Sequence, residues 1–372
     1  MRTVDAAGLP IGDGYPPRIM GVLNVSSESP YEPSVFDDPA EAARYVDEQL
    51  IGQGADIVDV GLESANKRFE VLSAPEELDR LETAIETVER IEGEAVFSIE
   101  TRYHGVADRA LSANFDMVND ICGFADPEMP RVCRDHDAAV VKMASPPDLE
   151  RPGAIEDVDE IYDALAGELT EKTIVDPAFG GWSEAKTLAD DRETFRRLRE
   201  FRALDRPILV SINRKNFLRE VADRSTEAAL PVSLAATSMA VERGAHVVRT
   251  HDVAETRDAA LIGDTFARDR VRTARVEELD VTTTAEAARH IERAGGDPGA
   301  APDAVARAVA LHDLDAGERE AAVAAAGTAD AAVEGEAPVV VAGTVRALGR
   351  VADALADAGH DGLAGAVRRA SE

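Results

Sequence analysis

The sequence is poor in cysteine and lysine and has no long apolar run, and each shortage excludes a class of protein. Its two cysteines, Cys122 and Cys133, form no Cys-x-x-Cys pair and have no clustered histidines nearby, so neither a zinc site nor a disulfide framework is indicated. No apolar run approaches the ~18 residues that span a bilayer, and the N-terminal stretch lacks a basic segment followed by an apolar one. These absences predict a soluble, cytoplasmic protein with reduced thiols.

Acidic residues outnumber basic ones by 72 to 40, which gives a formal net charge of −32. A field of this sign repels nucleic acid and anionic membranes, so neither is expected as a partner. Five of the basic residues are lysines. An acidic surface with arginine in place of lysine suits a protein kept soluble at high salt, and we interpret the charge as an adaptation to salt.

A chain that avoids lysine on its surface should keep it mainly where an ammonium group is needed. One lysine, Lys172, stands at the start of a predicted strand. The other four fall in or beside predicted strand-end loops: Lys67, Lys142, Lys186 and Lys215. Five residues are a small sample, so an accidental distribution is the alternative interpretation.

Residues 18 to 268 contain about eight short apolar runs, each followed by a helix-like stretch, and most runs end in a polar or charged residue. Alternating strand and helix patterns indicate βα units and a parallel sheet. Eight such units predict a closed (β/α)₈ TIM barrel, in which catalytic groups lie at the C-terminal ends of the strands. An open doubly wound sheet is the alternative, but no Gly-x-Gly-x-x-Gly follows the first run.

The segments outside the barrel have a different composition. Residues 1–17 form a Gly- and Pro-rich N-terminal arm, and residues 269–372 form an Ala-rich stretch. The latter has several helical patterns and one clear strand, PVVVAG, and predicts a small, mainly helical or α/β C-terminal domain. It shows no catalytic constellation, so docking or dimerisation is its expected role. Within the barrel, the first helix is predicted over residues 39 to 53.

The last two predicted strands end in cationic groups. Four residues there are cationic or can become so: Arg214, Lys215, Arg249 and His251. The loops after strands 7 and 8 form the usual phosphate site of this fold, so these residues predict an anionic ligand. The alternative is that Arg214 and Arg249 merely pair with nearby carboxylates.

The middle strands offer carboxylate and amide groups instead, at Glu100, Asn119 and Asp176. Such groups can bind a flat heterocycle that carries ring N–H and amino donors, such as a pterin, whereas buried carboxylates without partners are costly. Two carboxylates could also hold a metal or act as an acid–base pair. No histidine is expected beside these groups, which disfavours a transition metal.

Several motifs, in order and spacing, resemble those of dihydropteroate synthases, a family of pterin-binding barrels. The resemblance covers residues 18 to 268 and rests on MGVLNVSSESP, GADIVDVGLES, FSIET, FDMVNDICGF, VDPAFG, INRKNF and VVRTHDV. It implies condensation of (7,8-dihydropterin-6-yl)methyl diphosphate with 4-aminobenzoate to give 7,8-dihydropteroate and pyrophosphate, assisted by Mg²⁺. These two small molecules are then the expected substrates, with a homodimer as an open option.

The resemblance also implies residue roles. Asn24 would help to hold Mg²⁺, and Lys215, Asp176, Arg249 and His251 would form the catalytic group. The pterin would contact Glu100, Asn119, Asp176 and Lys215. The diphosphate and arylamine would contact Arg249, His251, Arg214, Asn216, Ser64 and Arg68.

The sequence departs from the family pattern at several of these positions. Glu100 replaces the usual Asp, and Asn216 replaces the usual Ser. The usual Ser-Thr-Arg-Pro-Gly of the second loop is replaced by the sequence from Ser64 to Arg68, so the expected Arg is Asn66 and either Lys67 or Arg68 would take over its contact.

Two other functions stay open. One is a methyltransferase that moves a methyl group from a reduced folate to a corrinoid, although that reaction has no diphosphate for the cations of strands 7 and 8 to hold. The other is a divergent relative that uses a different arylamine or lacks catalysis.

Overall fold

The computed structural model describes residues 2–25, 34–63, 71–149, 153, 155–180, 185–273 and 275–371. The chain divides into two compact units, Met1–Asp269 and Arg270–Glu372. In the described residues of the first unit, eight parallel strands close into a barrel, as the sequence predicts. These are β3 Arg18–Asn24, β4 Ile57–Gly61, β5 Val96–Thr101, β6 Met117–Asp120, β7 Ala139–Met143, β8 Thr173–Asp176, β9 Ile208–Val210 and β10 Ala245–Thr250. They pair in chain order, and β10 closes the ring against β3.

Side chains alternate between the two faces of each barrel strand, because successive residues of a strand point to opposite sides. Val58 and Val60 of β4 pack outward in one large apolar cluster, whereas Ile57 belongs to a separate cluster inside the barrel. The inner cluster fills the N-terminal half of the barrel. The polar residues of the strands' inner faces therefore lie towards the C-terminal ends.

The helices that follow the strands cover the outside of the barrel. They are α1 Pro39–Tyr45, α2 Ala74–Val88, α3 His104–Leu111, α4 Met129–Asp135, α5 Val158–Ala166, α6 Leu188–Arg196, α7 Asn216–Ala222, α8 Leu230–Glu242 and α9 Val253–Thr265. The first continues as a π-helix over Val46–Leu50 and a 3₁₀-helix over Ile51–Gln53. It begins at Pro39 after an Asp38 cap and ends at Gly54 with φ of 99°, so the predicted helix over residues 39 to 53 is confirmed.

The N-terminal arm forms an antiparallel hairpin of β1 (Val4–Ala6) and β2 (Leu9–Ile11). Its buried Val4, Ala6 and Ile11 join the apolar cluster inside the barrel. The hairpin therefore closes the N-terminal end of the barrel.

The second unit has its own apolar core and a three-stranded antiparallel sheet in the order β11, β13, β12. The strands are β11 Ala306–Leu311, β12 Ala332–Glu334 and β13 Val339–Thr344. The helices are α10 Thr284–Arg293, α11 Ala301–Ala304, α12 Ala316–Ala329, α13 Val345–Asp357 and α14 Asp361–Ser371. The predicted PVVVAG strand is confirmed as β13. In the part of the chain that the structure describes, no helix is long and apolar enough to cross a membrane.

Candidate functional site

Six polar residues line the C-terminal end of the barrel, and we call them the mouth cluster. Strands β4, β5, β6, β8 and β10 each contribute one residue, and the loop after β9 contributes the sixth. In that order they are Asp59, Glu100, Asn119, Asp176, Arg249 and Lys215. Asp59 follows the inward-facing Ile57 by two residues, and Asn119 and Arg249 likewise follow the inward-facing Met117 and Val247. The two-residue repeat of a strand thus brings these side chains together.

Arg249 lies between two carboxylates of neighbouring strands. Its Nε donates to Asp59 Oδ2 at 2.7 Å, and its Nη2 donates to Glu100 Oε2 at 2.6 Å. The same Asp59 oxygen accepts from Asn119 Nδ2 at 2.9 Å. Asp59 is fully buried and therefore fixes both the guanidinium and the amide.

Burial and charge shift the titration of the mouth cluster. Burial raises the pKa of Glu100 to about 7, against the opposing charge of Arg249. Burial also raises the pKa of Asp176 to about 6, although Ala178 N–H and Lys215 oppose the rise. Burial, followed by the charge of Arg249, lowers the pKa of Lys215. The site therefore combines acceptors that ionise near neutral pH with two cations.

The turn after β8 positions Asp176 and Lys215 together. Asp176 Oδ1 accepts from Ala178 N at 2.8 Å. Gly180 has φ of +117°, and an added Cβ there would lie 2.9 Å from Lys215 Nζ. The buried side chain of Lys186 donates to the Ala178 carbonyl at 2.8 Å and so stabilises the same turn.

A second group lies at the ends of β3 and β10. Asn24 Nδ2 donates to Ser34 Oγ at 2.9 Å, and Ser34 Oγ lies 3.5 Å from His251 Nδ1. Burial, followed by the charge of Arg249, lowers the pKa of His251 to about 4. His251 is therefore neutral at pH 7 and offers a hydrogen bond instead of a charge.

The side chain of Arg214 is bonded to other groups of the protein. It binds Asp252 through Nε at 2.8 Å and Nη2 at 2.9 Å, and its Nη1 donates to the carbonyls of Thr226 and Glu227. These contacts engage at least four of the five N–H groups of its guanidinium. The predicted diphosphate contact of Arg214 stays a prediction that this arrangement does not favour.

Of the remaining residues that the sequence singled out, the structure describes Asn216 and Lys142 but not the three in the second loop. Asn216 is the first residue of α7 and is exposed, and its Oδ1 accepts from Arg219 Nη1 at 2.9 Å. Lys142 faces outward, where its Nζ donates to the Ala164 carbonyl near the end of α5 at 2.8 Å. Three residues predicted for the second loop lie outside the described part of the chain: Ser64, Lys67 and Arg68.

Asp59 and Ser34 were missed by the sequence analysis. Asp59 stands inside an apolar run, IVDVG, and not at its end, where the catalytic groups of a barrel are expected. A single carboxylate in the middle of a buried strand is the signal that could have found it, because such a group needs a partner. Ser34 carries no such signal.

The chain matches the family of pterin-binding enzymes over residues 20–251. It is 33% identical over 273 residues to a probable bifunctional folylpolyglutamate synthase/dihydropteroate synthase of Halobacterium salinarum, an alignment of 68% of this chain and 33% of that protein. It is 31% identical over 242 residues to the dihydropteroate synthase of Bacillus subtilis, which covers 63% of this chain and 83% of that protein. A solved structure of the Coxiella burnetii dihydropteroate synthase with pteroic acid is similar, with a TM-score of 0.60, 28% identity, and coverage of 71% of this chain and 98% of that one.

The barrel, its polar mouth and the family match define a pterin-binding enzyme. The chain belongs to that family and, within it, to the dihydropteroate synthases. It spans about a third of the length of the bifunctional Halobacterium relative.

Proposed function

We propose that the chain joins (7,8-dihydropterin-6-yl)methyl diphosphate to 4-aminobenzoate and releases 7,8-dihydropteroate and pyrophosphate. The observation that carries the proposal is the mouth cluster, in which acceptors for a heterocycle lie beside Arg249 and Lys215. The relatives named dihydropteroate synthase support the same reaction.

The pterin ring would lie among Glu100, Asn119 and Asp176. Ionised carboxylates accept hydrogen bonds from ring N–H and amino groups. Since Asn119 donates its amide N–H to Asp59, its Oδ1 is left to accept from the ligand. Lys215 would donate to an acceptor on the opposite side of the ring.

The diphosphate would lie towards Asn24, Ser34 and His251. His251 contributes a neutral donor there, and Arg249, two residues earlier in the chain, contributes positive charge. Arg214 would act indirectly by holding Asp252 beside His251.

Asn24 fits a Mg²⁺ ion that takes most of its ligands from the diphosphate and water. Its amide nitrogen is bonded to Ser34, which leaves one neutral carbonyl oxygen, a ligand type that Mg²⁺ accepts. The described residues contain no group of three or more Asp, Glu, His or Cys side chains that would form a metal cage. When bound, the ion would neutralise negative charge on the leaving pyrophosphate.

The reaction breaks the bond between the pterin methylene carbon and the diphosphate oxygen, and the arylamine nitrogen forms the new bond and loses one proton. Positive charge develops on the pterin methylene as pyrophosphate departs. Asp176 and Glu100 would stabilise that charge, and Arg249 would stabilise the negative charge of pyrophosphate. No protein nucleophile is required.

Pyrophosphate release with both substrates in molar KCl tests the proposal. We expect turnover by the parent protein and its loss in Lys215→Ala and Asp176→Ala, with unchanged thermal unfolding. Lys172→Ala, at the N-terminal end of β8, is the matched control and should retain activity. Methyl transfer from methyltetrahydrofolate to a corrinoid, without pyrophosphate release, would contradict the proposal.

A further inference from the structure

Arg219 differs from Arg214 and Arg249 in that it forms no ion pair with any described residue. Its Nη1 donates to Asn216 Oδ1 at 2.9 Å, and its Nε lies 3.4 Å from the Arg224 carbonyl oxygen. By contrast, Arg249 pairs with Asp59 and Glu100, and Arg214 pairs with Asp252.

A lack of carboxylate partners is unexpected in a chain with 72 acidic residues and 40 basic ones. The acidic neighbours of Arg219 are engaged elsewhere. Glu220 binds Arg192 at 2.6 Å. Hydrogen bonds to its own N–H and to Ser225, followed by the charge of Arg219, lower the pKa of Glu227, which nevertheless forms no ion pair with Arg219. Among the described residues, the hydrogen-bond partners of the Arg219 guanidinium are therefore neutral groups, and no carboxylate is bonded to it.

Arg219 lies in the first turns of α7, the helix that begins beside the barrel mouth. Long side chains of a helix lean towards its N-terminus. The residue before α7 is Lys215, whose side chain lies against Gly180 in the mouth. The bond to Asn216, the first residue of α7, holds the Arg219 guanidinium on this side.

The proposed reaction needs a carboxylate-binding group at this outer edge. The amine of 4-aminobenzoate must meet the pterin methylene inside the mouth, so its carboxylate, at the opposite end of the ring, points outward.

We propose that Arg219 binds the carboxylate of the arylamine substrate, with the Asn216 amide beside it. A guanidinium forms two parallel hydrogen bonds to a carboxylate, which selects anionic arylamines over neutral ones. This inference rests on the proposed function and assigns the residue that selects its second substrate.

Steady-state kinetics of Arg219→Ala with two arylamines tests the inference. We expect the KM for 4-aminobenzoate to rise by about tenfold or more, the loss of one charge-assisted contact. The KM for the pterin diphosphate and kcat should not change. The KM for 4-aminobenzamide, which has no charge, should be the same in variant and parent, and Arg219→Lys should recover part of the affinity for 4-aminobenzoate.

Arg196→Ala is the matched control, because Arg196 is an exposed arginine at the end of α6 that pairs with Glu193. It should leave every constant unchanged. An unchanged KM for 4-aminobenzoate in Arg219→Ala, or an equal rise for the amide and the acid, would overturn the role of Arg219 while leaving the proposed function intact. A parent protein that turns over no arylamine would overturn both.

Discussion

At the scale of single residues, Asp59 connects three strands of the barrel. One of its oxygens accepts from Arg249 on β10 and from Asn119 on β6, although Asp59 itself lies on β4. A buried carboxylate with two such donors orients both of them, so the ligand meets a guanidinium and an amide that are already in position.

Asp59→Asn should therefore weaken pterin binding by about tenfold or more, because a neutral amide cannot accept equally well from both donors. Calorimetric titration with the pterin measures this, and Asp264→Asn, an exposed change on α9, is the control. Equal affinities of Asp59→Asn and the parent would show that Asp59 does not position the site.

The raised pKa values of Glu100 and Asp176 predict a pH dependence of pterin binding. Both groups accept hydrogen bonds most strongly when they are ionised, and their pKa values are about 7 and about 6. Affinity should therefore rise with pH through the range from 6 to 7 and level off above it. Titrations at a series of pH values test this, and Glu100→Gln should remove the upper step. Affinity that falls across this range would contradict the assignment.

At the scale of elements, the turn after β8 joins two parts of the site. Its backbone fixes Asp176 through Ala178, and Gly180 gives Lys215 room to lie across it. Lys186 and Asp191 stabilise the same turn and form an ion pair, with Lys186 Nζ 3.4 Å from Asp191 Oδ1. This gives a lysine-poor chain a structural reason to keep Lys186, which also lies close enough for its charge to lower the pKa of Asp176.

Gly180→Ala should lower kcat/KM strongly, since the new methyl group would both strain a positive φ and displace the Lys215 ammonium. Gly105→Ala is the matched control, because an added Cβ there has no neighbour within 4 Å and alanine favours a helix. Kinetics of both variants would check this. Normal activity of Gly180→Ala would mean that the close approach to Lys215 has no catalytic importance.

The sequence predicted most elements because their signals are local. The barrel strands are short apolar runs, and α1 has both a proline at its start and Gly54 at its end. In the second unit, β11 and β12 were missed as separate strands. Their alanine-rich sequences resemble the neighbouring helices, and only pairing with β13 makes them strands.

The site was less predictable than the fold, because charges that are distant in sequence meet there. Glu100 and Arg249 were both predicted for the site, but in separate groups, since nothing in the sequence shows that they form an ion pair. The sequence also suggested His251 as a group that can become cationic, but burial lowers its pKa to about 4, so the ring is neutral at pH 7.

At the scale of the whole molecule, the net charge of −32 predicts a dependence of stability on salt. Self-repulsion among acidic groups destabilises the compact state, and salt screens it. The midpoint of thermal unfolding should rise as KCl is increased from low to molar concentration. A midpoint that falls with added KCl would contradict the interpretation of the charge as an adaptation to salt.

The central claim is that this mouth condenses a pterin diphosphate with an arylamine. Its most direct test is product analysis by mass spectrometry after incubation of the parent protein with both substrates, Mg²⁺ and molar KCl. We expect 7,8-dihydropteroate and pyrophosphate in equal amounts, and neither product from Lys215→Ala. Pyrophosphate without 7,8-dihydropteroate, or no product from a folded parent that binds the pterin diphosphate, would contradict the claim.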